Sequence, residues 1–138
     1  MLVYEDFYKE LGNLFYAIAA NDEKISRSEK KMINSLVMYG WRPVENSTDA
    51  YGTDAANIIL FQFDVNEESG ADANESFQSF VSFYEDNYQY INEELQEKIL
   101  SNAKNIAEST RKINNAELPM LMKLRYLISH GCLSAARK

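Results

Sequence analysis

The sequence predicts an all-α fold, a single-domain bundle of about six helices with two similar helical hairpins. Apolar residues recur at helical spacing in stretch after stretch. Glycine and proline are scarce, 5 and 2 among 138 residues, too few for a fold of many short strands joined by turns. Helix punctuation, a capping box and glycine stops, also falls where the periodic stretches begin and end.

Residues 6–20 place Phe7, Leu11, Leu14, Phe15 and Ile18 on one stripe, so a first amphipathic helix is expected with Asp6 as its N-cap. Residues 27–39 repeat the pattern with Met32, Ile33, Leu36 and Val37. Ser26 and Glu29 form S-x-x-E, in which each side chain satisfies the other residue's free backbone N–H. Gly40 is the expected left-handed stop, Trp41 can fold back on Leu36, and Pro43 forbids continuation. The polar stretch 41–53 reads as a loop.

Residues 54–65, DAANIILFQFDV, fit either a strand or a helix. NIILFQFDV could be a buried strand, but nothing else in the chain reads as β to pair with it, so a central buried helix is expected. Residues 66–73 read as a second loop ending near Asn74. From there to residue 90, Phe77, Phe80, Val81, Tyr84 and Tyr88 share a stripe. Aromatics at this spacing are what an amphipathic helix buries, and they are expected in the core rather than around a cofactor. Residues 93–108 give Leu95, Ile99, Ala103, Ile106 and Ala107. Residues 115–129 give Leu118, Leu121, Leu124, Leu127 and Ile128, with Gly131 as the stop.

A chain of 138 residues can bury roughly two thirds of its unfolded surface, enough for a core without staples. The one cysteine, Cys132, excludes an intramolecular disulfide and any multi-cysteine metal site, and it points to a reducing compartment. The net charge of −7 argues against nucleic acid and favours a basic protein surface or a cation as partner. The start, MLVYEDFYKEL, carries Glu5, Asp6 and Glu10 without a basic region and is not expected to be a signal peptide. The apolar run LFYAIAA is far too short to span a membrane, so no membrane insertion is expected and the chain reads as cytoplasmic.

Residues 18–36 and 106–124 align without a gap. Seven of their 19 positions are identical: Ile18/Ile106, Ala19/Ala107, Lys24/Lys112, Ile25/Ile113, Glu29/Glu117, Met32/Met120 and Leu36/Leu124. Internal duplication accounts for this, and so does convergence of two amphipathic hairpins, here about residues 6–39 and 93–129. Ser26 and Asn114 take the same cap position, each followed three residues later by Glu. Ile113 can clasp Leu118 as a hydrophobic staple, and both Ile25 and Ile113 are expected to be buried. Pro119 is tolerable only near a helix start. The acidic pair Asp22 and Glu23 belongs to the first copy alone, since Thr110 and Arg111 replace it in the second.

AANDEKISRSE, residues 19–29, resembles the run A-x-A-D-G-x-[IV]-S-x-x-E that lies between two helices in the TerB-like domain family. This is the helical module of tellurite-resistance proteins and of some DnaJ-type membrane co-chaperones. Asp22, Ile25, Ser26 and Glu29 fall on the matching places, and Glu23 stands where the family prefers glycine. The resemblance implies an all-helical fold over most of the chain and stress-associated roles. In some members it implies divalent cations at acidic positions, and it does not imply catalysis.

Chemistry-bearing motifs are few. His130 and Cys132 straddle a helix stop, where a helix-end imidazole and a small apolar contact are the simpler reading than a nucleophile and base. No glycine-rich phosphate loop, G-x-S-x-G or H-E-x-x-H is present, so no enzyme activity is expected. DVNEESGADANE, residues 64–75, approaches a calcium loop, with Asp64, Asn66, Glu68, Asp72 and Glu75 at positions 1, 3, 5, 9 and 12. Gly70 falls one place late for the required turn, which leaves a solvated acidic linker as the competing reading. Asp22 and Glu29 make a second candidate, an oxygen-only site suited to Ca2+ or Mg2+. The alternative there is a plain turn. Glu93, Glu94 and Glu97 could serve acid–base work, or could simply decorate a helix N-terminus, where the macrodipole favours negative charge.

Two functional expectations follow. One is a non-catalytic TerB-like interaction or stress-response module. The other is an acidic inhibitor or immunity-type protein that covers a basic enzyme surface by charge complementarity. Acids spread over many places, rather than one dense patch, favour the first.

Overall fold

The computed structural model of the protein describes residues 2–20, 25–41, 55–110 and 119–132. Among these residues six α-helices occur in the order α1 (Tyr4–Ala19), α2 (Arg27–Gly40), α3 (Ala55–Ser69), α4 (Ala73–Asn87), α5 (Glu93–Thr110) and α6 (Pro119–His130). A 3-10 turn, Tyr88–Tyr90, follows α4. No strand occurs among the described residues, so the fold is all-α and residues 57–65 are helical. No helix among them is long and apolar enough to cross a membrane.

α1 is the centre of the bundle. It packs most extensively against α3 and α4, and also against α5. Phe7, Tyr8, Leu11, Leu14, Phe15, Tyr16 and Ile18 are all buried, which wraps apolar surface around most of the helix. Its closest neighbour is reached at Gly12. A Cβ built there would lie 2.6 Å from the Gln62 Cβ and 2.6 Å from the Ile59 carbonyl oxygen of α3. Glycine is thus the residue that lets the two backbones meet. α1 begins earlier than the sequence suggests: Val3 is the N-cap, not Asp6, which lies in the first turn beside Glu5. Leu2 is buried and the Tyr4 ring packs on Phe7 and Tyr8, so tertiary contacts hold an extra turn that no side-chain cap supports.

α2 lies against α5 and α3. Its capping box is formed as expected. The Glu29 N–H donates to Ser26 Oγ at 3.1 Å, and the Ser26 N–H donates to Glu29 Oε1 at 2.9 Å. Ile25, expected to be buried, is half-buried against the core. Gly40 is the last residue of the helix and not a left-handed stop. Positive φ among the described residues belongs to Gly70 and Gly131. What Gly40 supplies is room, since a Cβ there would meet the Asn102 side-chain nitrogen at 2.5 Å. Trp41 packs edge-on to Phe7 and Tyr8 of α1, with the Lys98 ammonium 4.8 Å from its ring centroid.

α3 is longer than expected. Residues 66–69, read from the sequence as loop, are its last turn. Gly70, at φ 69°, ends it. The Ala71 N–H bonds the Asn66 carbonyl at 3.0 Å and the Gly70 N–H bonds the Glu67 carbonyl at 3.3 Å, the paired closure of a Schellman motif. Asp72 then caps α4 by accepting the Glu75 N–H at 2.9 Å. α4 stops at Asn87, so Tyr88 leaves the core stripe and is 52% exposed. Asn92 opens α5, its Oδ1 accepting from the Leu95 N–H at 2.9 Å. Pro119 is the first residue of α6, where a missing N–H is harmless, and Gly131 at φ 84° ends that helix as predicted.

The hinge residues of both hairpins fall largely outside the described residues. These include Asp22 and Glu23 in the first copy and Ile113, Asn114, Glu117 and Leu118 in the second.

Substituting Gly12→Ala is expected to force α1 and α3 apart at a backbone contact. The cost should be about 1–3 kcal/mol, despite alanine's better helix propensity. Ser26→Ala should cost on the order of 1 kcal/mol through the lost cap. Chemical denaturation of the two variants checks both, and an unchanged midpoint for either removes the corresponding interaction.

Candidate functional site

Carboxylates fall into those the fold has used and those it has left. Asp64 and Glu67 of α3 hold the Lys30 ammonium of α2 at 2.7 and 3.0 Å. Burial works against the charge on Lys30, but hydrogen bonds to Asp64 and Glu67 outweigh it and raise its pKa above the ordinary lysine value. Asn66 is buried. It accepts from the Gln62 amide at 3.0 Å and donates to Asn13 Oδ1 at 2.8 Å. The Asn13 amide donates in turn to Glu10 Oε1 at 3.0 Å, and the Ser79 hydroxyl of α4 reaches the same carboxylate at 2.9 Å. One polar chain therefore runs from α3 through α1 to α4.

The calcium-loop candidate thus has its members spread over two helices and the turn between them. Asp64 pairs with Lys30, Asn66 faces α1, Glu68 is exposed on the last turn of α3, Asp72 is a helix cap and Glu75 lies in the first turn of α4. The backbone from Asp64 to Ser69 is helical, which corrects the loop reading on which the candidate depended. In the other candidate, Glu29 has one oxygen taken by the Ser26 N–H, and Asp22 lies outside the described residues. Among the described residues, no three of His, Cys, Asp and Glu gather as they would around a metal ion.

Glu93 and Glu97 remain. They stand one turn apart on α5 and line an open cleft of about 400 Å3 between α4, α5 and α6. Gln96, Tyr84, Tyr88 and His130 also line it, with Leu100 and Ile128 as apolar walls. Neither carboxylate makes an ion pair among the described residues. Gln96 donates its amide N–H to the Ile91 carbonyl at 3.1 Å, which leaves its oxygen as an acceptor. The Tyr88 ring lies close over Gly131, where an added Cβ would lie 3.0 Å from it. His130 stacks on Tyr126 at 3.9 Å between centroids, and its Nδ1 lies 3.1 Å from the Tyr126 carbonyl oxygen.

Tyr84 is the unusual member. Its side chain is fully buried, and its hydroxyl has no hydrogen-bond partner among the described residues. Burial pushes its pKa up to about 12, so the phenol stays neutral. A second cleft of about 350 Å3 adjoins the first and shares Glu97 and Leu100 with it. Lys104 and Arg125 also line it.

The sequence singled out Glu93 and Glu97 but not their surroundings. Tyr84 and Tyr88 were expected in the core, and His130 was read only with Cys132. Compared with known proteins, the chain matches no family model, no curated protein and no solved structure.

Three raised pKa values set the alkaline behaviour. Tyr84 is raised by burial. Tyr16 is raised by burial and then by the negative charges of Glu67 and Asp72. Lys30 is raised through its ion pairs. Each group holds its proton in the folded chain to a higher pH than in the unfolded chain. Their stabilisation is therefore complete at neutral pH and is lost as pH rises above about 10. Thermal midpoints should be level near pH 8 and fall through about pH 10–12, less steeply in Tyr84→Phe. An identical fall in that variant would remove Tyr84 from the account.

Proposed function

We propose that this chain is a non-catalytic interaction module, a TerB-like helical domain that binds a partner protein through a basic surface of that partner. The supporting observation is the pair of carboxylates, Glu93 and Glu97, that make no ion pair among the described residues and line an open cleft with aromatic walls. Acidic side chains with no partner of their own favour a cationic surface and steer its approach. The AANDEKISRSE run supports the family reading, and with it a stress-associated role. Its Ser26–Glu29 part has a structural duty as a capping box, which any helix of this kind could share.

Enzyme chemistry has no comparable support. His130 stacks on Tyr126 and lies within hydrogen-bond distance of its carbonyl oxygen.

Removing charge at the cleft separates this reading from general acidity. Glu93→Gln with Glu97→Gln should weaken association with the basic partner at least about tenfold, as loss of charge-assisted contacts does. Glu94→Gln with Glu108→Gln removes the same charge from exposed positions of the same helix outside the cleft, and should change it little. Crosslinking in cells followed by pairwise affinity measurement gives both numbers. Equal losses in the two variants would reduce the interaction to net charge.

A further inference from the structure

The face formed by α5 and α6 is complementary to itself. We propose that two copies of this chain associate through it about a two-fold axis near Leu100, so that the acids at one end of each α5 meet the cations towards the other end of its counterpart. The dimer covers Glu93 and Glu97 and so withholds them from a basic partner. That regulatory consequence rests on the function proposed above, whereas the dimer itself does not.

The charges along this face are divided by sign. Glu93, Glu97, Leu100 and Lys104 recur at the spacing of one helix face, and the two adjoining clefts have all four in their lining. Acids take the first part of the row, an apolar residue the middle, and a cation the far end, about 16 Å along the axis from Glu93. Arg125 of α6 joins Lys104 in the second cleft. None of these four charged side chains makes an ion pair among the described residues, although Glu97 shares a cleft with both cations. Both signs therefore remain available to a second molecule.

A second copy supplies the complement. A half-turn about an axis at Leu100 sets Lys104 of the second copy opposite the Glu93–Glu97 stretch, and the same contact recurs at the other end. The two α5 helices then run antiparallel, which is also the favourable arrangement of their dipoles. Leu100 meets its counterpart near the axis, and the exposed ring of Tyr88 adds apolar surface in the first cleft. A wholly basic surface meets repulsion from Lys104 and Arg125 at the second cleft, whereas the second copy presents both signs at matching places. The net charge of −7 makes two copies repel at long range, and pairing acids with cations offsets this where they touch. A face one helix long is at the small end of stable interfaces, so the association is weak and salt-sensitive.

Sedimentation of the whole chain over a concentration series should show a monomer–dimer equilibrium at low salt that shifts to monomer as salt is raised. Glu93→Lys with Glu97→Lys makes all four charged positions positive and should abolish the dimer. Lys104→Glu with Arg125→Glu makes all four negative and should do the same. An equimolar mixture of the two variants should form the dimer again, because each presents the sign that the other lacks. Circular dichroism checks that each variant is helical, and where a reversed variant does not fold, Lys104→Gln with Arg125→Gln takes its place and should also lose the dimer. A wild-type chain that stays monomeric at every concentration overturns the proposal. So does a dimer that survives either substitution, or a mixture of folded reversed variants that stays monomeric. Partner affinity is read separately. A monomeric wild type that still loses the partner on Glu93→Gln with Glu97→Gln leaves the proposed function standing without the dimer. A dimer whose partner affinity ignores those substitutions leaves the dimer standing without the function.

Discussion

The contact between α1 and α3 at Gly12 is the constraint on which the bundle depends. Two helices approach closely only where one of them lacks a side chain, and the Ile59 carbonyl and Gln62 Cβ fill the space that a Cβ at residue 12 would need. This places α3 along the central helix and brings Phe63 edge-on to Tyr16 at 5.8 Å. It also sets the register in which Asn66 reaches Asn13. From there the hydrogen-bonded chain continues to Glu10 and Ser79, so α4 is positioned by the same helix. The chain runs from buried Asn66 out to exposed Ser79, and its successive bonds tie the three helices to one arrangement rather than to a family of sliding ones.

The helical class and the order of the helices were legible because they depend on local periodicity and punctuation. Ser26 with Glu29 and Gly131 each do what their spacing implies. Where the reading failed, a contact distant in sequence had replaced a local rule. Residues 66–69 are polar and look like a loop, yet Asn66 is paired with Asn13 and Glu67 with Lys30, so the helix runs on to a Schellman stop at Gly70. Gly40 looks like a stop and is instead a place for Asn102. Tyr4 and Leu2 begin α1 early because there is core for them to join.

The cleft was legible in one half only. Glu93 and Glu97 share a helix face, and i,i+4 spacing is visible in any sequence. Tyr84, Tyr88 and His130 reach them from α4, the 3-10 turn and α6, and no local pattern foretells that meeting. The stripe rule placed both tyrosines in the core. It is right for Tyr84 and wrong for Tyr88, because α4 ends at Asn87 and the chain turns before the stripe is complete.

The distribution of the acids links the fold to the proposed binding role. Glu10, Glu29, Asp64, Glu67 and Asp72 each accept a hydrogen bond or hold Lys30, so their charge is committed within the molecule. Among the described residues Glu93 and Glu97 receive no ion-pair partner, although Lys98 and Lys104 lie on the same helix. Lys98 sits over the Trp41 ring, and Lys104 lines the adjoining cleft. At the N-terminus of α5 the helix dipole stabilises negative charge without neutralising it. Of the two, Glu93 lies in that first turn, and Glu97 stands one turn further along the same face of the cleft. Glu93 thus serves both the helix start and the lining of the cleft, so the stabilising and the binding interpretations are compatible at that residue.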